Sequence, residues 1–241
     1  MKDFSSAGQL VSGLIIISLL MGSANADPVV VNPSFEQVQI GSNVSSNPAD
    51  VPGWTHAGSG GDGLLWGVGL TDGPGTITTA GDGNQFVTLG GGFDAPGSAS
   101  WSQTVGGFVV GNSYNLGFKM AAGLSQSYYP AEGDQTITAS VPAGSSTAAQ
   151  TFTVPQSPIV QFWHDWESKT YSFTATATSA TIEFSVSNQQ FDIGLDSVSI
   201  TDAGTVAPLP SSASMGCLLL LGAALVGRCR SSRKWGKSVS F

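Results

Sequence analysis

Between residues 27 and 206, apolar side chains recur at every second position in short runs, and no stretch holds a helical three-to-four repeat for long. Tyr171, Phe173 and Ala175 alternate with polar neighbours, as do Ile182, Phe184 and Val186. A period of two puts each set on one face of a strand, and the stretch TATATSA between them supplies a turn. Runs of this kind, separated by Gly, Pro, Asn and Asp, predict strands over residues 85–89, 99–105, 113–121, 135–141, 151–154, 169–175, 180–187 and 194–201. The Gly-rich segment 58–92 reads as long loops around one or two short strands. The fold class is therefore all-β, an antiparallel sandwich.

The two ends break this pattern. Lys2, the apolar stretch LIIISLL over residues 14–20 and the sequence Ala24-Asn25-Ala26 predict a signal peptide cleaved after Ala26. At the other end Pro208, Leu209 and Pro210 precede an apolar run over residues 213–226, which Arg228, Arg230, Arg233, Lys234 and Lys237 close. Proline cannot continue a preceding helix, apolar residues partition into lipid, and a basic cluster stays on the cytoplasmic side. The expected layout is a signal peptide at 1–26, a β-sandwich at 27–203 and a linker at 204–212, then a transmembrane helix at 213–227 and a basic tail at 228–241. The apolar run is shorter than the roughly 20 residues of a full span. A permanent anchor is one reading, and a transient anchor fits this length better.

Charge narrows the function. Lys119 and Lys169 are the only basic side chains between residues 27 and 206, against fifteen of the sixteen carboxylates of the chain. Such a surface cannot neutralise phosphates, which excludes nucleic acid as a partner. Cys217 and Cys229 both lie in the tail, so no disulfide staples the domain. The glycines at 60–63 and 90–92 are followed by no Gly-Lys-Ser/Thr and open no helix, so they are loop glycines rather than a phosphate cradle.

The tail, in its order of proline motif, apolar run and basic cluster, resembles the PEP-CTERM sorting signal of Gram-negative, exopolysaccharide-producing bacteria. The resemblance covers about residues 207–234 and implies recognition and removal by the membrane protease exosortase. Here Leu209 stands where that signal usually has glutamate. Within the domain, NPSFE (32–36), PGW (52–54), GDGNQFVTL (81–89), WSQTV (101–105), GNSYNLGFKMA (111–121) and GLDSVSIT (194–201) follow one another in an order that resembles the galactose-binding-like jelly rolls, including carbohydrate-binding modules. That resemblance implies that the first and last strands lie together and hold a structural Ca2+, with Glu36 and Asp196 as ligands. The plain alternative is that both are exposed strand-end carboxylates. The jelly-roll resemblance also implies an extracellular polysaccharide as partner, and the signal peptide and tail imply an exported protein of the cell envelope or matrix.

Sugar recognition needs flat aromatic faces beside amides and carboxylates. Tyr128, Tyr129 and Trp163 are the aromatics expected in loops and are the candidate ligand contacts, whereas Trp54 and Trp166 are expected to pack. No Gly-x-Ser-x-Gly elbow is present, and the domain contains two histidines and no cysteine, so the protein is expected not to be an enzyme. In HDWE, strand-like alternation would set Asp165 and Glu167 on one face and His164 on the other. A structural or adhesive surface protein without a sugar site is the alternative, and a small glycan-active enzyme a more distant one.

Overall fold

The structure is a computed structural model that describes residues 27–45, 47–59, 63–72, 75–90, 96–123, 133–156, 163–189 and 191–204. The predicted signal peptide and sorting tail lie outside these residues. Among the described residues no helix is long and apolar enough to cross a membrane.

Thirteen strands are described: β1 (Val44–Ser45), β2 (Thr55–Ser59), β3 (Leu65–Gly67), β4 (Thr71–Asp72), β5 (Gly75–Thr76), β6 (Gln85–Leu89), β7 (Gly97–Gly106), β8 (Ser113–Ala122), β9 (Gln135–Ala143), β10 (Gln150–Val154), β11 (Glu167–Thr174), β12 (Ser179–Gln189) and β13 (Ile193–Asp202). One antiparallel sheet runs β1-β3-β6-β13-β8-β11, a second runs β10-β9-β12-β7-β2, and β4-β5 is a small hairpin. All eight strands predicted from alternation are present, β1 and β2 are additional, and the segment 58–92, expected to hold one or two short strands, holds β3, β4 and β5 beside β6. From β6 to β9 the chain changes sheet at every step. The turn after Thr174 also carries the chain across the sandwich, so Phe173 and Phe184 reach one core from opposite sheets.

The core lies between the sheets. Leu116, Phe118 and Leu195 from one sheet meet Trp101, Ile137 and Phe184 from the other, all essentially without solvent exposure. Trp101 donates its indole N–H to the Thr88 carbonyl at 3.1 Å, tying β7 to the facing β6. Tyr114 packs edge-on against Phe108 and accepts the Val109 amide at 2.8 Å, fixing the turn between β7 and β8.

The opening segment is held without forming a strand, which corrects the expectation of a first strand lying together with the last. Two buried amides replace strand pairing. Gln103 accepts the Val31 N–H at 2.7 Å and donates to the Val31 carbonyl at 2.9 Å. Gln85 accepts the Ile40 N–H at 2.7 Å and donates to the carbonyls of Phe35 and Val38. Proximity to the last strand survives as one bond, from Val198 N–H to the Pro33 carbonyl at 2.8 Å. Phe35 then packs against Trp54, so the NPSFE and PGW stretches form one corner of the core.

Candidate functional site

Three features outside the main core have chemistry to offer. The first is a carboxylate pair at the loop before β6. A bulge in β13 lets Leu195 and Val198 both face the core although they are three residues apart, and it leaves Asp196 on the outer face of its sheet. There Asp196 is nevertheless buried, because the loop at Gly81 lies on it; a Cβ on Gly81 would sit 2.8 Å from that of Asp196. Asp196 accepts the Asp82 N–H at 2.8 Å and the Ser197 N–H at 2.6 Å. Glu36 grips the other end of the same loop, accepting the N–H groups of Asn84 and Gln85 at 2.5 and 2.6 Å and an amide N–H of Gln39. Gly83 has φ +65, and a side chain there would collide with Glu36.

Burial pushes the Asp196 carboxyl up to about 8, the two backbone N–H groups pull it down, and the charges of Asp82 and Glu36 raise it further. Lys119 faces Asp196 across the β13-β8 pair, but its ammonium donates to the Gly81 carbonyl at 2.6 Å. The two ion pairs among the described residues are His164–Asp165 and Lys169–Glu167, so Asp196 has no basic partner within 4.0 Å there. Carboxylate oxygens are the donor type Ca2+ takes, but those of Asp196 and Glu36 accept backbone N–H groups here. Among the described residues no three His, Cys, Asp or Glu side chains converge on a metal position. An ion at Glu36 and Asp196 would therefore draw most of its six to eight oxygens from backbone carbonyls and water.

The second feature is a satellite aromatic cluster on the outer face of the six-stranded sheet. Trp163 is 3% exposed there, with Trp66 at 4.9 Å and Phe86 at 5.4 Å between ring centroids. The expectation that Trp163 is a loop aromatic open to ligand is corrected. Gly194 beneath it and the buried Ala121 paired with Gly194 are small enough for the indole to lie on the sheet. Trp166 packs edge-on against Phe86, and Trp54 is buried, as expected of both. Tyr128 and Tyr129 lie outside the described residues, as do Pro208, Leu209 and Pro210. His164 bonds Asp165 at 2.8 Å, because the segment is irregular until β11 begins at Glu167 and strand alternation does not separate the two.

The third feature, which the sequence did not single out, is an open groove of about 440 Å3 across the outer face of the five-stranded sheet. Its lining comes from β2, β7 and β12, with Ala57, Gly58, Ser98, Ser100, Glu183 and Ser185 among the contributing residues. Register lines these up in rows: Ser100 lies between Ala57 and Ser185, while Ser102 lies between Thr55 and Glu183. Away from the groove the same face is closed by hydroxyl pairs, Thr104 with Thr181 at 3.1 Å and Thr138 with Thr151 at 3.0 Å. The alternation of β7 and β12 does contain this signal, since the outward positions from Ser98 to Thr104 and from Ser179 to Ser187 are Ser or Thr except Glu183.

No protein-family model and no curated protein sequence matches the chain. Solved structures similar to it include TmCBM61 in complex with β-1,4-galactotriose, at 15% identity over 73% of this chain and 99% of that one, with a TM-score of 0.45. The xylan-binding domain from CBM 22 is similar at 17% identity over 72% of this chain and 94% of that one, with a TM-score of 0.40. The K3 cleaved adhesin domain of Lys-gingipain from Porphyromonas gingivalis is similar at 18% identity over 72% and 99% of the two chains, with a TM-score of 0.42.

Proposed function

We propose that this is an exported, non-catalytic surface protein whose sandwich binds extracellular polysaccharide in the groove across β2, β7 and β12. The observation that carries the reading is the groove itself, a shallow one in which register lines up serine hydroxyls and one carboxylate across three strands. Its hydroxyls and single carboxylate can exchange hydrogen bonds with sugar hydroxyls, on a rigid sheet rather than a loop. Affinity electrophoresis of the protein through gels containing neutral or charged polysaccharides tests this. Retardation that Ser100→Phe abolishes supports the groove, and unchanged mobility in every gel sinks it.

Export by the N-terminal segment, transient anchoring in the membrane by the C-terminal apolar run and release by an exosortase-type protease complete the proposal, on the strength of the sequence of those ends. Mass spectrometry of the mature C-terminus decides between release and anchoring, because a product ending near Pro210 outside the membrane requires cleavage. A structural Ca2+ held by Glu36 and Asp196 would clamp the opening segment to the last strand by neutralising the buried carboxylate.

One observation favours a second reading, a structural or adhesive protein without a sugar site. Among the described residues the aromatic rings are buried or half-buried, and none lines the groove. Polysaccharide retardation separates the two readings.

A further inference from the structure

We propose that the groove takes an amine-bearing glycan, a polymer of amino sugars with free protonated amines, whose ammonium group is received by Glu183. The inference rests on the reading of the groove as a polysaccharide site and specifies its ligand. Glu183 lies on the middle strand of the five, opposite Ser102 on β7 and Ser140 on β9. It is half-buried and lines the groove. Among the described residues its carboxylate has no hydrogen-bond or ion-pair partner, and the side chains around it are small and neutral.

No other acidic or basic side chain belongs to the five strands of this sheet. His56 of β2 packs its ring against Trp101, 4.9 Å away, on the core side. A carboxylate set in a wide hydroxyl face with no cation of its own is complementary to a cation on the ligand. The domain adds a long-range term of the same sign, with fifteen carboxylates against Lys119 and Lys169 between residues 27 and 206. That field repels uronate and sulfate polymers and concentrates polycations at the surface.

The floor supplies no ring for stacking, so orientation has to come from polar contacts. A charge-assisted hydrogen bond is about twice as strong as a neutral one and is the strongest contact this lining can make. Neutral sugars would use only the serines, and a free amine adds the bond to Glu183.

The test uses the full-length protein in mild detergent, titrated by calorimetry with glucosamine oligomers, the same oligomers fully N-acetylated, and an oligouronate. The expected order is glucosamine above N-acetylglucosamine by roughly tenfold, which is the scale of one charge-assisted bond, with no uronate binding. Glu183→Gln should erase that preference while keeping the N-acetylated affinity and the melting temperature. Asp202→Asn, an equal change of net charge on an exposed strand end, should leave the preference intact and so separates a site from general attraction of polycations. Equal binding of both amino-sugar forms, or a preference that survives Glu183→Gln or falls equally in Asp202→Asn, overturns the inference and leaves the polysaccharide reading standing. Absence of binding by all three probes also overturns the inference, and unchanged mobility in every polysaccharide gel overturns both.

Discussion

Asp196 makes stability depend on pH in a direction unusual for a carboxylate. Its folded pKa is raised from 3.8 to about 8, chiefly by burial. Between those values the folded chain keeps a proton that the unfolded chain has released, so stability is greatest below the unfolded pKa and falls as pH rises through the folded one. At about 1.4 kcal/mol per pH unit the full window amounts to on the order of 5 kcal/mol. For a domain of this size that corresponds to a fall in melting temperature of roughly 10–20 °C between pH 4 and pH 8. The assay is thermal melting from pH 4 to 9 in chelator, for the wild type and for Asp196→Asn. An asparagine oxygen serves only one of the two backbone N–H groups that Asp196 satisfies, which costs about 1–3 kcal/mol at low pH. It carries no charge to desolvate at high pH. The two curves should therefore cross, with the variant less stable at pH 4 and more stable at pH 8. Added Ca2+ should flatten the wild-type curve alone, by binding the ionised carboxylate. Parallel wild-type and variant curves would refute the argument that a buried, uncompensated charge resides at this position.

Three further outcomes follow from the packing. Trp101→Ala removes a fully buried indole and its bond to Thr88, and should lower unfolding free energy in urea by about 3–5 kcal/mol. Gln103→Ala leaves both backbone groups of Val31 without their partner and should cost about 1–3 kcal/mol, while limited proteolysis shows earlier cutting near residue 31. Trp163→Ala opens a cavity between Trp66 and Phe86, so it should destabilise by about 3–5 kcal/mol with no change in polysaccharide retardation.

The alternation along β7, β8, β11 and β12 could be read directly because in a half-buried strand each side chain's environment is fixed by parity. The positions of β1 to β5 were not legible for a related reason: at two to five residues each, they are too short to show a period. Gln85 and Gln103 look like surface residues in the sequence, yet they substitute for strand pairing along the opening segment. Trp163 lies in a loop, as its sequence suggests, but its burial depends on the small Gly194 and Ala121, at a distance in sequence, which make room for it.

By itself the sequence determined an all-β sandwich, an acidic domain without disulfides and the positions of its longer strands, since parity and composition are local properties of the chain. Tertiary structure decided which carboxylates matter. Asp196 is buried because a loop more than a hundred residues earlier lies on it, and Glu183 stands alone because register places neutral hydroxyls on either side of it. Both facts concern what faces a side chain across space, and strand alternation carries no information about that.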